Sequence, residues 1–183
     1  MKNKILFISL PILVLLYMSC NKISESIERD IIINDTSFFD IQPLDTVAPV
    51  TIPNIITGAD LETEIREQAK SFTSGNIRSI KLNNLIIALN TTKIDTGNNL
   101  ANLRAIKLSI NSGGKTTTMG STTITTKAAT GNLALTVGIS ADSLRYHLAN
   151  TPKTYSITLK AKKKTDTIMN AVVLTRYVVS LAK

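Results

Sequence analysis

The chain is poor in the residues that most often carry chemistry. Its 183 residues include no Trp, one Cys and one His, and aromatic residues make up only 4%. A single cysteine cannot form an internal disulfide, and one Cys with one His cannot supply the ligands of a structural zinc site or an iron–sulfur cluster. The scarcity of rings also argues against carbohydrate-stacking and base-stacking surfaces. Disulfide scaffolds, Cys/His metal centres and nucleic-acid platforms are therefore not expected.

Carboxylates are scarce beyond residue 70. Residues 71–183 contain fifteen basic and three acidic residues, a net charge of +12, whereas residues 21–70 contain four basic and ten acidic residues, a net charge of −6. Catalysis needs converging acid, base or nucleophile groups, and calcium needs several carboxylates. We therefore expect no enzyme, no metal site and no cofactor. The basic excess is explained either by an anionic partner or by a solvated surface.

The first twenty residues have the pattern of a lipoprotein signal. Lys2 and Lys4 precede an apolar stretch over residues 5–18, which is shorter than the ~20 residues that span a bilayer as a helix. The stretch ends at Ser19 and Cys20, and the segment resembles the lipobox of bacterial, Bacteroidota-like lipoproteins. That resemblance implies a signal peptide over residues 1–19, and a lipid of the diacylglycerol and palmitate type on Cys20.

The same resemblance implies a location in the cell envelope. Asn21 follows the cysteine in place of the Asp that retains enteric lipoproteins at the inner membrane. We therefore expect a protein anchored by its lipid in the outer membrane, with its periplasmic or surface orientation left open. Residues 20–36 are mostly polar and charged, and we interpret them as the lipidated cysteine and a tether.

Residues 37–183 contain enough hydrophobic residues for one β-sandwich domain. Prolines in residues 37–44 and 49–56 predict strands at sheet edges, because proline cannot donate to a sheet ladder. Residues 60–72 predict a helix, since four apolar side chains recur on one helical face and Asp60 can cap its start. The four are Leu61, Ile65, Ala69 and Phe72.

Beyond the helix the hydrophobic period changes to two, which indicates strands. The pattern slips at Asn83 and Asn84, which predicts a bulge, and Ser112-Gly113-Gly114 predicts a hairpin turn. Residues 133–139 and 155–161 alternate regularly, and residues 168–181 predict a long final strand. About seven strands without βαβ alternation predict an antiparallel β-sandwich of the Ig-like or Greek-key type, with one or two short helices.

One pair of residues superficially resembles a catalytic pair. Ser143 and His147 would be neighbours on a short helix over residues 140–148. No residue is placed to orient the histidine or to form an oxyanion hole. We therefore expect Asp142 and Ser143 to cap the helix and His147 to face solvent.

A row of basic residues is the best candidate binding site. Alternation with Ile157, Leu159 and Ala161 predicts that Lys160, Lys162 and Lys164 share an outward face, with Lys163 at the turn. Arg176 could join them from across a hairpin. Such a row would attract lipid head groups, lipopolysaccharide or anionic glycans. The alternative is a solvated strand face whose lysines prevent edge-to-edge association.

The sequence thus predicts an envelope lipoprotein with a non-catalytic binding or adhesion domain for an anionic ligand. The alternative is a structural or assembly subunit that binds an envelope protein through an exposed sheet edge. A continuous Lys/Arg surface would favour the first function, and a large apolar patch on an uncovered strand would favour the second. Nucleic acid is not an expected partner, because no helix is suited to enter a groove.

Overall fold

Two antiparallel sheets pack face to face in the structure, which is a computed structural model and describes residues 27–183. The predicted signal peptide and Cys20 lie outside the described residues. The strands, in chain order, are β1 Glu28–Ile41, β2 Val50–Ile56, β3 Ile77–Leu89, β4 Leu103–Ser112, β5 Lys115–Thr123, β6 Asn132–Ala134, β7 Thr136–Val137, β8 Lys153–Ala161 and β9 Met169–Ala182. Sheet A has the order β1-β9-β3-β6, and sheet B the order β2-β8-β4-β5-β7. The predicted antiparallel β-sandwich is confirmed.

Strand β1 corrects the predicted tether. It pairs with β9 over its whole length, from Glu28 opposite Ala182 to Ile41 opposite Met169. Every second residue from Ile31 onward is buried, because the side chains of a strand alternate between its two faces. Residues 28–36 therefore belong to the domain. The tether prediction was wrong there because the polar residues that suggested it are the outward half of a strand.

The prediction of edge strands is confirmed for both proline-containing segments. β1 lies at one edge of sheet A and β2 at one edge of sheet B. Part of the β1 edge is covered by Gln68, whose side-chain amide donates to the carbonyl of Ile32 at 2.8 Å and accepts from its N–H at 3.3 Å. This side chain occupies backbone groups that could otherwise pair with another strand.

The predicted helix is present but shorter than expected. Helix α1 runs over Leu61–Gln68, and Asp60 caps it by accepting from the N–H groups of Glu62 and Thr63. The chain leaves the helix at Ala69, and a turn then brings Phe72 into the core. The four apolar residues that predicted the helical face are all buried.

The bulge and the hairpin turn are confirmed. The register of β3 against β9 shifts between Leu82 and Asn84. Strands β4 and β5 join through Gly113 and Gly114, whose φ angles of +53° and +73° suit a tight hairpin.

The strand predicted over residues 133–139 is wrong. Residues Asn132–Ala134 form β6 in sheet A, whereas Thr136–Val137 form β7 in sheet B. Between them Leu135 inserts into the core, and its N–H donates to the carbonyl of Leu85 at 2.9 Å. The regular alternation therefore marks a segment that crosses between sheets and seals one side of the core.

Helix α2 spans Ala141–Ala149. No helix among residues 27–183 has the length and apolar character needed to cross a bilayer.

Candidate anion-binding site

An open groove of about 800 Å³ lies at one end of sheet B. It sits where β4 begins and where β5 and β8 end. Its floor is made of small or apolar side chains, and its walls carry five cations. The floor residues are Ala101, Ile124 and Ala161, and the cations are Arg104, Lys127, Lys160, Lys162 and Lys163.

Hydrogen bonds to Asn102 hold one wall of the groove in place. The carbonyl of Asn102 accepts from the N–H of Lys162 at 2.7 Å and from the N–H of Lys163 at 3.1 Å. The side-chain amide of Asn102 donates to the carbonyl of Thr96 at 2.9 Å. These bonds fix the start of β4 beside the chain that leaves β8, so the two lysines project from an ordered turn.

The opposite wall is a loop that follows β5. The N–H of Ile124 donates to the carbonyl of Arg104 at 2.8 Å, and the ammonium of Lys162 donates to the carbonyl of Thr126 at 3.0 Å. Lys162 therefore helps to hold this loop, whereas no such bond occupies the ends of Lys160, Lys163 or Lys127 among the described residues.

Among residues 27–183, no carboxylate lines the groove. Across residues 27–183, the acidic and basic side chains within 4.0 Å of each other form two pairs, Arg78 with Glu28 and Lys164 with Asp166, and both are exposed. Within the part of the chain that the structure describes, none of the five cations has an acidic side chain within 4.0 Å, so no ion pair offsets the repulsion among them. An anion placed among them would relieve that repulsion.

The structure brings together three of the five residues predicted as the basic site. Lys160, Lys162 and Lys163 line the groove, and Arg104 and Lys127 join them. Sequence reasoning missed the last two because they are remote in the chain. The signal that could have indicated Arg104 was its position at the start of a strand, because pairing of that strand with β8 places its start beside Lys160.

The other two predicted residues lie elsewhere. β8 ends at Ala161, so Lys164 is not on a strand face, and its exposed ammonium pairs with Asp166 at 3.3 Å. Arg176 lies on β9 in sheet A, opposite Asn34 and Asn84. The predicted hairpin between these strands was wrong because β8 and β9 belong to different sheets, and Arg176 points outward from the far side of the sandwich.

Ser143 and His147 do not form a pair. The cap of α2 is Ser140, whose Oγ accepts from the N–H of Ser143 at 3.2 Å and contacts its hydroxyl at 3.0 Å. The prediction that Asp142 and Ser143 cap the helix was therefore wrong, since both lie inside its first turn and Ser140 is the cap. The prediction that His147 faces solvent was wrong, since His147 is 1% exposed.

His147 instead joins α2 to the β4–β5 hairpin. Its Nδ1 lies 2.8 Å from Ser112 Oγ, and its Nε2 lies 2.8 Å from Thr117 Oγ1. Burial, together with the charge of Lys115, lowers the pKa of His147 below its usual 6.5. Both ring nitrogens have hydroxyl partners and Ser112 is itself buried, so the arrangement serves packing.

A second buried polar cluster surrounds Asp35 on β1. The carboxylate accepts from the hydroxyl of Tyr155 at 2.8 Å, the hydroxyl of Thr57 at 2.6 Å and the N–H of Gly58 at 2.9 Å. The hydroxyls of Tyr177 and Tyr155 share a hydrogen bond at 2.8 Å. The cluster links both sheets and the chain entering α1. Its signal in the sequence was an Asp at an inward position of an alternating strand.

Burial is the main cause of the raised pKa values of the two tyrosines in this cluster. It raises the pKa of Tyr177 to about 12, partly offset by the hydrogen bond with Tyr155. Burial, with the neighbouring Tyr177 and Asp35, raises the pKa of Tyr155 well above its usual 10. Both hydroxyls therefore stay protonated at neutral pH, and that of Tyr155 donates to the Asp35 carboxylate.

Within residues 27–183, no three His, Cys, Asp or Glu side chains converge in a way that could hold a metal ion. No protein-family model matches the chain, and no curated protein matches its sequence. The groove is therefore interpreted from its own chemistry.

Proposed function

We propose that this protein is a lipid-anchored envelope lipoprotein whose β-sandwich binds an anionic ligand without catalysis. The observation that carries the proposal is the groove at the end of sheet B, where five cations surround a concave surface to which the described residues contribute no carboxylate. Clefts lined by one sign of charge concentrate counter-ions, and they discriminate against ligands of like charge.

The other lining groups support the same ligand class. Thr46, Thr123 and Thr125 offer hydroxyls, and Asn99 and Asn102 offer amides. The four lysines act as point charges that hold phosphate, sulfate or carboxylate groups without rigid geometry, and the guanidinium of Arg104 can bind such a group through two N–H donors. No aromatic ring among the described residues lines the groove, so a neutral ligand that depends on stacking would gain little there.

The test removes charge from the groove without removing the bond that orders its wall. Changing Lys127, Lys160 and Lys163 to Gln leaves Lys162 and its bond to Thr126 intact. Each exposed cation near an anionic surface is worth about 1 kcal/mol, so we expect affinity to fall roughly 100-fold. Isothermal titration of the full chain in neutral detergent, with a heparin-derived disaccharide and with tripolyphosphate across a salt series, measures it.

The matched control removes the same charge outside the groove. Lys81, Lys164 and Arg176 changed to Gln also lose three positive charges, from the outer face of sheet A and the exposed turn after β8. We expect this variant to bind nearly as well as the unchanged chain. Equal losses in both triple variants would mean that only net charge matters, and the groove would lose its role.

The lipid anchor has its own test. Only Cys20 can provide a thioether to diacylglycerol, because the chain has no other cysteine. We expect Cys20→Ala to remain an unlipidated precursor, detected by the absence of radiolabelled fatty acid. Labelled fatty acid in this variant would disprove the lipoprotein proposal.

A second candidate function rests on the outer face of sheet A. Phe38 is 65% exposed on the edge strand β1, one outward row from Leu174 of β9, and Ile32 further along β1 is 38% exposed. This apolar surface favours a structural or assembly role through contact with another envelope protein. A photo-crosslinker at Phe38 should then give one discrete adduct in the envelope, whereas a crosslinker at Lys107 on sheet B should not.

A further inference from the structure

The outer face of sheet B is covered by hydroxyl groups and lysines. Register places Lys160, Ala105 and Thr123 in one row across β8, β4 and β5. The next outward row contains Thr51, Thr158, Lys107, Ser121 and Thr136, taken from five neighbouring strands.

These two rows continue the basic groove. A second open groove of about 690 Å³ runs over them, and it shares Thr123 and Lys160 with the first. Its lining adds one further cation, Lys107, and again includes neither a carboxylate nor an aromatic ring from the part of the chain that the structure describes. The two grooves therefore form one track, which begins at the end of the sheet and extends over its centre.

The dimensions of the track exceed those of a single small anion. Successive outward rows are separated by two residues, about 7 Å along the strands, and neighbouring strands lie about 4.8 Å apart. Lys107 lies on the neighbouring strand β4, one outward row closer to the centre of the sheet than Lys160. A ligand that contacts all six cations must be extended.

We propose that the ligand is a linear anionic glycan, which lies in the basic groove and continues across the outer face of sheet B over Lys107. This inference rests on the proposed binding function and adds the ligand class. The lysines meet the charged substituents of the glycan, and the hydroxyls of Thr158 and Ser121 exchange hydrogen bonds with sugar hydroxyls. Because Thr and Ser both donate and accept, they suit a ligand that presents alternating hydroxyl and anionic groups.

Probes of different length test this inference separately from the proposed function on which it rests. The probes are a heparin-derived disaccharide and decasaccharide, with a long inorganic polyphosphate as a charged chain without hydroxyls. The variant is Lys107→Gln with Ser121→Ala, and the control is Lys81→Gln with Ser79→Ala on β3 of sheet A. Binding of the full chain in neutral detergent is measured by isothermal titration.

We expect the decasaccharide to bind more tightly than the disaccharide. The Lys107 and Ser121 variant should lose about fivefold in affinity for the decasaccharide, the value of one cation near an anionic partner, and keep its affinity for the disaccharide. The control should bind both probes as the unchanged chain does. Circular dichroism of each variant verifies that the fold is retained.

Three results would each overturn a different proposal. Failure of both glycan probes and of polyphosphate to bind would overturn the proposed binding function. Normal binding of the disaccharide, with no effect of Lys107→Gln on the decasaccharide, would confine the ligand to the first groove and overturn the extended track. Polyphosphate binding as tight as that of the decasaccharide, with the same loss in the variant, would overturn the glycan assignment.

Discussion

Asp35 is the buried carboxylate on which the junction of the two sheets depends. Changing it to Ala would leave the hydroxyls of Tyr155 and Thr57 and the N–H of Gly58 without their acceptor in a closed environment. Buried donors without partners cost about 1–3 kcal/mol each, with partial relief as the site relaxes. We expect Asp35→Ala to lower the free energy of unfolding by about 3 kcal/mol, measured by urea denaturation.

Asp40 provides the control on the same strand. It faces outward and accepts one exposed hydrogen bond, from Asn170 at 2.7 Å. Asp40→Ala should cost less than about 0.5 kcal/mol, as is usual for exposed substitutions. If both variants lose the same stability, the Asp35 cluster does not stabilise the fold in the way described.

His147 should make stability depend on pH. Its pKa in the folded protein lies below the value of about 6.5 expected for the unfolded chain, because burial disfavours the charged ring. As pH falls below about 6.5 the unfolded state takes up a proton first, so folding stability declines until the folded histidine also titrates. Above that pH this contribution is constant.

Urea denaturation between about pH 7.5 and 5.5 checks the sign of this effect. We expect the unchanged chain to lose stability toward the acid end, and His147→Gln to give a flatter dependence even if it is less stable overall. The acidic groups are the same in both chains, so the difference between the two slopes isolates the contribution of His147. An unchanged slope in the variant would show that another group causes the dependence.

Strand β1 makes a prediction about where the folded domain begins. A chain starting at residue 37 would lack Ile31 and Ile33, which are 2% and 1% exposed, and would also lack Asp35. Burying one such side chain contributes about 1.5–3 kcal/mol. We expect this chain to be at least about 4 kcal/mol less stable than a chain starting at residue 27, measured by thermal unfolding followed by circular dichroism. Equal melting would return residues 28–36 to the role of a tether.

Elements defined by local pattern were predictable from the sequence. The capped start of α1, the bulge in β3 and the glycine hairpin follow from a few adjacent residues. β1 was predicted only from residue 37, because charged outward residues obscured an alternation that runs from Ile31 to Ile41. The crossing of residues 132–137 between the sheets depends on the distant partners β3 and β5, which no local pattern reveals.

The candidate site was predictable only in part for the same reason. Three lysines close together in the chain indicated a basic surface, and they do line the groove. Arg104 and Lys127 reach it through the pairing of β4 with β8 and the loop after β5, and Arg176 is removed from it by the assignment of β9 to the other sheet. Which charges meet is decided by sheet topology, whereas the presence of charge is decided by composition.

Charge is unevenly distributed over the whole molecule. The acidic strand β1 packs on the basic body through its pairing with β9, but only Glu28 of that strand forms an ion pair within the described residues. The groove end therefore retains its positive field. Because exposed charges are screened beyond about 8 Å at physiological salt, that field acts mainly on ligands that enter the groove.

The direction of β1 determines what the groove can reach. Glu28 lies beside the end of β9, whereas Ile41, about 45 Å further along the strand, lies at the end that holds the groove. A lipid on Cys20 would therefore hold the domain by one pole and present the groove from the other, away from the bilayer that carries it. Energy transfer to a membrane dye should be weaker from a label at Thr125 than from one at Ser74, and equal transfer would contradict this orientation. A protein held in this way would bind ligands that lie beyond its own membrane surface.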